Sequence, residues 1–220
     1  MKCLGLAKSL YVLMLVGTMA VSASAAPMVV NGDFESDTEG FGVWPGYTGN
    51  GNPDNISGWN GDAGRGVNPI SADHESPAPF RDNGANDSHV AFVQGTAFIE
   101  QEISGFEVGG EYVLSFDYNS RNCCGDMPIA TIMLDDETLV TTDGGVVPVG
   151  DANPWYHADI PFTAGESDIT LRFASMSAAG GDSTLLLDNI SINVVPEPSA
   201  IVLMCFGLLV AAGKSRRQHL

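Results

Sequence analysis

Aromatic side chains that stand beside hydrogen-bonding groups are the residues of this sequence best suited to chemistry. A flat ring can stack against the C–H face of a sugar while neighbouring polar groups bind its hydroxyls. For each such aromatic residue, the alternative is that it covers the core. The candidate ligand-binding residues are Trp44 and Tyr47 in a loop rich in Gly and Asn, Trp155 and Tyr156 after Asn153-Pro154, and Arg121 with Asp126.

The sequence carries none of the familiar catalytic patterns. A Gly-x-Ser-x-Gly elbow, a His-Glu-x-x-His helix, a phosphate-binding loop and a dinucleotide fingerprint are all missing. His74 beside Glu75, and His157 after Tyr156, could be drawn as acid and base pairs, but histidines in surface loops are usually solvated. We therefore expect a protein that is not an enzyme.

The N-terminus has the layout of an export signal. Lys2 and Lys8 precede an apolar stretch at 9–20, and Ala23-Ser24-Ala25 offers the small residues that a signal peptidase accepts. The apolar stretch falls short of the ~20 residues that a membrane-spanning helix needs, which argues against a permanent anchor. Residues 1–25 are therefore predicted to be a signal peptide, with a helix that is removed by cleavage.

The C-terminus has a second distinctive layout, at residues 195–220. A Pro-Glu-Pro triplet precedes an apolar run at 200–213, and a basic cluster beginning at Lys214 follows it. Proline keeps the triplet extended, and basic residues stay on the cytoplasmic side of a membrane. An exported chain would therefore halt with the triplet just outside the membrane, where a protease can reach it.

This arrangement resembles the PEP-CTERM sorting signal of Gram-negative bacteria. The resemblance implies an exosortase as processing partner, transient anchoring in the inner membrane through the apolar helix, and release to the cell surface or extracellular matrix. It also implies an association with exopolysaccharide and biofilm. An ordinary C-terminal anchor with a chance Pro-Glu-Pro is the alternative. The resemblance rests on the triplet Pro196, Glu197 and Pro198, the apolar run, and Arg216-Arg217, in that order.

The segment between the two signals is strongly acidic. It holds four arginines against 26 acidic side chains, a net charge of −22. Such a field repels nucleic acid, and anionic polymers bind poorly to it unless a cation bridges them. Contact with neutral glycans, binding of divalent cations, and simple solubility remain as explanations of the charge.

The same segment reads as a single all-β domain over residues 26–194. Its apolar stretches are short, mostly alternating, rich in β-branched and aromatic residues, and separated by glycine-rich turns. This pattern predicts an antiparallel β-sandwich of the jelly-roll type, with the connection at 35–86 packed over one end. The predicted strands are 29–34, 89–94, 97–103, 112–118, 129–134, 169–173 and 185–192.

Several short motifs in this domain resemble the galactose-binding-like jelly rolls that include many carbohydrate-binding modules. The resemblance implies that Trp59 belongs to the core and that sugar binding, protein binding and architectural roles are all within the range of the scaffold. The motifs are Asn31-Gly-Asp-Phe-Glu35, Ile56-Ser-Gly-Trp59, Val90-Ala-Phe-Val-Gln-Gly95, Gln101-Glu-Ile-Ser-Gly105, Gly110-Glu-Tyr-Val-Leu-Ser-Phe-Asp-Tyr118 and Leu187-Asp-Asn-Ile-Ser191.

The resemblance also implies a structural calcium where the first and last strands meet. The matching carboxylates are Asp33, Glu35 and Asp188, and calcium takes hard oxygen ligands of this kind. The alternative is purely structural: Asn31 and Asp33 make a turn, while Asp188 and Asn189 cap a bulge by bonding nearby backbone.

Cys123 and Cys124 are the cysteines left once both signals are removed. An exported chain meets an oxidising environment, so these thiols pair with each other, pair between chains, or stay reduced. We favour the vicinal disulfide, which would make a rigid, slightly apolar knob. A zinc site is disfavoured, because adjacent cysteines cannot easily supply two ligands of a tetrahedron.

Together these patterns predict an exported, noncatalytic extracellular protein that contacts exopolysaccharide or a cell-surface glycan. The alternative function is a structural or adhesive matrix protein whose jelly roll contacts other proteins, with Cys123 and Cys124 as crosslinks.

Overall fold

The regular structure of the chain is built from β-strands. A computed structural model describes residues 26–37, 56–69, 83–86, 88–177 and 182–196. These ranges contain one short 3-10 helix, Glu35–Asp37, in addition to strands. The strands are β1 Asn60–Gly61, β2 Arg65–Pro69, β3 His89–Gln94, β4 Ala97–Ser104, β5 Glu111–Ser120, β6 Pro128–Leu134, β7 Glu137–Thr141, β8 Tyr156–Thr163, β9 Asp168–Ser177 and β10 Thr184–Val194.

The strands form two antiparallel sheets packed face to face. The first sheet has the order β1-β4-β9-β6-β7 and the second the order β2-β3-β10-β5-β8. From β3 onwards the chain changes sheet at almost every connection, and β6 to β7 is the exception. The predicted antiparallel β-sandwich of the jelly-roll type is therefore confirmed. The predicted terminal helices lie outside the described residues, among which no helix is long and apolar enough to cross a membrane.

The core lies between the two sheets and follows the alternation of the sequence. Strand β4 buries every second residue, among them Ile99 and Ile103. Phe173 of β9 lies at the centre, with ring centroids 6.2 Å from Trp59 and 5.0 Å from Phe116. Trp59 is 1% exposed, which confirms its predicted place in the core.

The predicted strand at 29–34 is wrong, because this segment forms a turn. Asn31 and Phe34 have positive φ angles, which lie outside the β region of backbone conformation. The buried side chain of Gln101 takes the place of a neighbouring strand: it accepts a hydrogen bond from Val30 N at 2.7 Å and donates one to Val30 O at 2.9 Å. A side-chain amide thus satisfies backbone that a ladder would otherwise pair.

Strand β8 was missed in the sequence because it lies at an edge of the second sheet. It pairs with β5 alone, and most of its residues are exposed or half-buried. Pro161 lies within it, and proline is tolerated in edge strands because it has no N–H to contribute to a ladder. The predicted connection at 35–86 likewise contains the short strands β1 and β2, as expected of a segment packed over the sandwich.

Replacing Gln101 by leucine should destabilise the fold. The Gln101 amide also donates to Gly58 O at 2.8 Å, so Gln101→Leu leaves three backbone groups without their partner. We expect a loss of about 1–3 kcal/mol in the free energy of unfolding, measured by chemical denaturation. Glu102→Leu, at the exposed neighbouring position, is the control. Equal losses in both variants would contradict the role given to Gln101.

Candidate functional site

A polar cavity of about 530 Å³ lies on the outer face of the second sheet, and we name it the outer cavity. Leu187 of β10 packs in the core between the sheets, so its neighbours Leu186 and Asp188 point to the opposite, outer face. The lining combines carboxylates, amides and one indole. The lining residues are Asp33, Glu35, Ala85, Asn86, Ser88, Asp117, Pro154, Trp155, Asp188 and Asn189.

A bulge in β10 shapes the floor of the outer cavity. Asp188 pairs with Asp117 and Ser191 pairs with Ser115, so Asn189 and Ile190 together face a single residue of β5. Asn189 adopts a φ of 52°, and Ile190 returns to the core. The alternation of the strand therefore shifts by one residue at this point.

The bulge also docks the N-terminal segment. Ile190 N donates to Gly32 O at 2.9 Å. A Cβ at position 32 would lie 2.1 Å from Ile190 O, so only glycine permits this approach. Asp33 and Glu35, which follow directly, are thereby brought to the rim of the outer cavity.

Asp188 is a buried carboxylate held by three neighbours. Its Oδ2 accepts hydrogen bonds from Asn86 Nδ2 at 2.8 Å and Ser88 Oγ at 2.9 Å, and its Oδ1 accepts one from Asn189 N at 2.8 Å. The pKa of Asp188 is raised to about 6, chiefly by burial and also by the charge of Asp117. The three hydrogen bonds act in the opposite direction and lower it. The group thus titrates near neutral pH.

Asp117 belongs to a polar row that crosses the second sheet. Its Oδ2 accepts from Asn189 Nδ2 at 2.9 Å, and its Oδ1 lies 2.7 Å from Nδ1 of His157 on β8. The hydrogen bond to Asp117 raises the pKa of His157, although the histidine side chain is exposed. His157 therefore lies on an edge strand and not in a loop, and its exposed side chain is paired with the carboxylate of Asp117.

Trp155 forms one wall of the outer cavity. Its ring packs on the apolar cluster of Val90, Phe92 and Leu186, which occupies the outer face of the second sheet. Its Nε1 donates to Asn83 O at 2.6 Å. The indole is therefore fixed by packing on one side and by a hydrogen bond at its edge, before any ligand is present.

The structure separates the six predicted ligand-binding residues. Trp155 lines the outer cavity, whereas Tyr156 stacks on Tyr118 with ring centroids 5.3 Å apart and does not line it. Trp44 and Tyr47 lie outside the described residues. Arg121 and Asp126 are 7% and 1% exposed and belong to a structural ion pair instead.

The ion pair ties the end of β5 to the start of β10. Asp126 Oδ2 accepts from Arg121 Nε at 3.0 Å and from Thr184 N at 3.1 Å, and its Oδ1 accepts from Asp182 N at 2.9 Å. Arg121 also donates to the carboxylate of Asp182 at 2.7 Å. With its oxygens engaged by protein donors, Asp126 is a structural residue in this arrangement.

Cys123 and Cys124 are joined by a disulfide in the loop above this ion pair. The vicinal pairing is the one favoured from the sequence. Because both sulfurs are bonded within one chain, neither is available for a crosslink between chains in the adhesive alternative.

The three predicted calcium ligands meet at the outer cavity, where several of their oxygens accept hydrogen bonds. Glu35 accepts from His89 N at 2.6 Å and lies 3.1 Å from His89 Nδ1, and Asp188 has the three donors described above. Asp33 accepts from Glu35 N at 3.4 Å. Among the described residues, no group of three or more His, Cys, Asp or Glu is arranged to hold a metal ion. This arrangement is the one expected of the structural alternative, a turn and a capped bulge, and the bound calcium stays a prediction.

Four polar residues of the outer cavity were not singled out as ligand candidates: Asn86, Ser88, Asp117 and Asn189. Asn86 and Ser88 lie about a hundred positions from Asp188 in sequence. The available signal was the break in alternation at Leu187-Asp-Asn-Ile190, which marks the bulge.

Residues 194–217 match the PEP-CTERM protein-sorting motif. The motif implies an exported protein that is anchored transiently and processed by an exosortase. Pro196 lies two residues after the end of β10, and Val195 N still donates to Glu111 O at 2.9 Å; Glu197 and Pro198 lie outside the described residues. No curated protein matches the chain in sequence.

Several solved structures are similar to this chain, and the first of them has a TM-score above 0.5. Fisc, a Stig cyclase from Fischerella sp. TAU, is 18% identical with a TM-score of 0.53, covering 79% of this chain and 99% of that one. TmCBM61, solved with beta-1,4-galactotriose, is 12% identical with a TM-score of 0.45, covering 75% and 96%. A family 35 carbohydrate binding module from Clostridium thermocellum is 14% identical with a TM-score of 0.42, covering 62% and 92%.

These likenesses concern the fold. The two carbohydrate-binding modules are structural neighbours at too low a TM-score to carry an argument about the site. Because a cyclase is also among the neighbours, the fold does not separate a binding module from an enzyme.

Breaking the buried ion pair should be strongly destabilising. Asp126→Ala leaves the N–H groups of Asp182 and Thr184 without their acceptor and leaves Arg121 with the carboxylate of Asp182 alone. We therefore expect a loss of about 3–5 kcal/mol in the free energy of unfolding. Asp182→Ala removes the second acidic partner of Arg121, but its side chain is 58% exposed, and we expect a loss below about 1 kcal/mol. A loss no larger for Asp126→Ala than for Asp182→Ala would refute the structural role of the pair.

The burial of Asp188 predicts a specific pH dependence. Because its folded pKa lies above the ordinary value of 3.8, its contribution to stability is complete below about pH 4 and is lost as the pH rises through 6. Asp188→Asn removes this titration. The unfolding free energy of the variant relative to wild type should therefore improve by up to about 3 kcal/mol from pH 4 to pH 7. Denaturation at both pH values tests this, with Asp136→Asn as an exposed control. A difference independent of pH would contradict it.

Proposed function

We propose that this protein is a noncatalytic extracellular protein that binds a neutral glycan in the outer cavity. The observation that carries the proposal is the combination of a fixed indole, Trp155, with carboxylates and amides around one cavity of about 530 Å³. Sugar sites combine an aromatic face with directional hydrogen-bonding groups in this way.

The rigidity of the cavity supports binding. Trp155 Nε1 donates a hydrogen bond to Asn83 O, and Asn86 Nδ2 donates one to the carboxylate of Asp188. Asn83 is itself buried, and its Nδ2 donates to Ser120 O at 2.6 Å. A site whose groups are already ordered loses little conformational entropy on binding.

The charge of the domain favours a neutral ligand. Asp33, Glu35, Asp117 and Asp188 all line the outer cavity, and residues 27–195 carry a net charge of −22. Carboxylates accept hydrogen bonds from sugar hydroxyls, whereas an acidic polysaccharide would be repelled unless a cation intervened. A structural calcium remains a proposal here, and removal of divalent cations tests it.

The biological setting is part of the proposal. The PEP-CTERM motif supports transient anchoring in the inner membrane through residues 200–213, followed by transfer to the cell surface or matrix of a Gram-negative bacterium. There the ligand would be exopolysaccharide or surface glycan, in matrix or biofilm. The negative net charge of the domain would repel nucleic acid, which we therefore do not propose as a partner.

A retention experiment tests the proposed function. The full chain is applied to immobilised neutral and acidic polysaccharides, with and without a chelator, and the eluate is assayed for new reducing ends. We expect retention by a neutral glycan without hydrolysis, weakened about tenfold by Trp155→Ala through loss of the stacking face. Loss of retention on chelation would support the calcium.

A milder pair of variants separates binding from folding. Asp33 and Asp136 are both exposed, and only Asp33 lines the outer cavity. Asp33→Ala should weaken retention while Asp136→Ala, which removes the same charge, leaves it unchanged. No retention by any glycan, or equal effects of the two variants, would overturn glycan binding at this cavity and favour a protein-contacting matrix component. New reducing ends would overturn the noncatalytic role.

A further inference from the structure

A second cavity, which we name the inner cavity, lies between the two sheets beside their edge strands β7 and β8. Its volume is about 100 Å³. Its walls come from β5, β6, β7, β8 and β10, and it shares no residue with the outer cavity. Its lining includes Phe116, Ala130, Ile132, Val140, Ala158 and Leu187.

Small side chains leave this space open. Ala130 on β6 and Ala158 on β8 both line it, and a larger apolar residue at either position would project into it. Protein interiors are normally close-packed, so the small side chains at these two positions leave room for a guest between the sheets.

The lining determines what kind of molecule could enter. It contains no charged side chain. The hydroxyl of Thr142 is engaged, since it accepts a hydrogen bond from Ala130 N at 2.9 Å. An apolar cavity of this kind excludes water and takes apolar guests, as engineered cavities of about 150 Å³ do with benzene.

The inner cavity can be reached from solvent along the edges of the sheets. Val140 of β7 is 37% exposed, and Ala158 and Ile160 of β8 are half-buried. Neither edge strand has a second neighbour within its sheet among the described strands. A guest could therefore enter between β7 and β8 without the opening of a strand ladder.

We propose that the inner cavity binds a small, neutral, apolar molecule of the size of a single aromatic ring or a short aliphatic chain. Because the volume of about 100 Å³ is below the ~150 Å³ that encloses benzene, part of an aromatic guest would extend through the opening between β7 and β8. Neutrality follows from the lining. The acidic surface, with a net charge of −22 over residues 27–195, disfavours carboxylates such as fatty acids. The site is independent of the glycan proposed for the outer cavity.

Toluene is the probe for this proposal. The full chain in detergent is melted with and without toluene, beside Ala130→Leu, which fills the cavity, and Val108→Leu, which enlarges an exposed side chain elsewhere. Saturating toluene should raise the Tm of wild type and Val108→Leu by about 3 °C. It should leave Ala130→Leu unchanged. Equal shifts in all three proteins, or no shift in wild type, would overturn the proposal.

Methyl NMR of the unmutated chain supplies a reading that does not depend on a variant folding. Toluene should shift the methyl resonances of Ile132, Val140 and Leu187, which line the inner cavity. The methyls of Ile103 and Ile169, which lie in the core away from it, should stay in place. Unchanged Ile132 and Leu187 resonances, or shifts throughout the core, would contradict a defined site.

Discussion

The bulge in β10 is the constraint on which the outer cavity depends. Two residues of β10 face one of β5, so Ile190 turns into the core while its N–H is left to bond Gly32 O at 2.9 Å. That bond docks the N-terminal segment and places Asp33 and Glu35 beside Asp188. A straight strand would pair Ile190 within the ladder and leave the segment without this attachment. One local irregularity thereby joins residues from both ends of the domain in one site.

The outer cavity also depends on the burial of apolar residues on both faces of the second sheet. Strands β3 and β10 contribute to the core on one side and to the cluster of Val90, Phe92 and Leu186 on the other. Trp155 covers that cluster and forms a cavity wall at the same time. Trp155 thus contributes both to stability and to the proposed binding face. For this reason Asp33→Ala, at the rim, separates binding from folding better than Trp155→Ala does.

The central strands could be predicted because their alternation reports burial directly, as in β4 and β5. The segment 29–34 was wrongly predicted as a strand, because its apolar residues resemble those of a strand. The side chain that bonds its backbone, Gln101, lies 71 positions from Val30 in the sequence. Among the residues that line the outer cavity, Trp155 was predicted as a ligand contact from its residue type, and Asp33, Glu35 and Asp188 were predicted from the resemblance, as calcium ligands. Arg121 and Asp126 were also predicted as ligand contacts. The sequence pattern does not indicate that the backbone N–H groups of Asp182 and Thr184 donate hydrogen bonds to Asp126.

The proposed function requires that a glycan contacts the ring face of Trp155. The most direct measurement is NMR of the indole N–H resonances while a neutral polysaccharide is added to the full chain. We predict that the Trp155 resonance shifts, since its ring lines the outer cavity, while that of Trp59, which is 1% exposed in the core, stays in place. An unchanged Trp155 resonance in a sample that binds the polysaccharide would contradict the account.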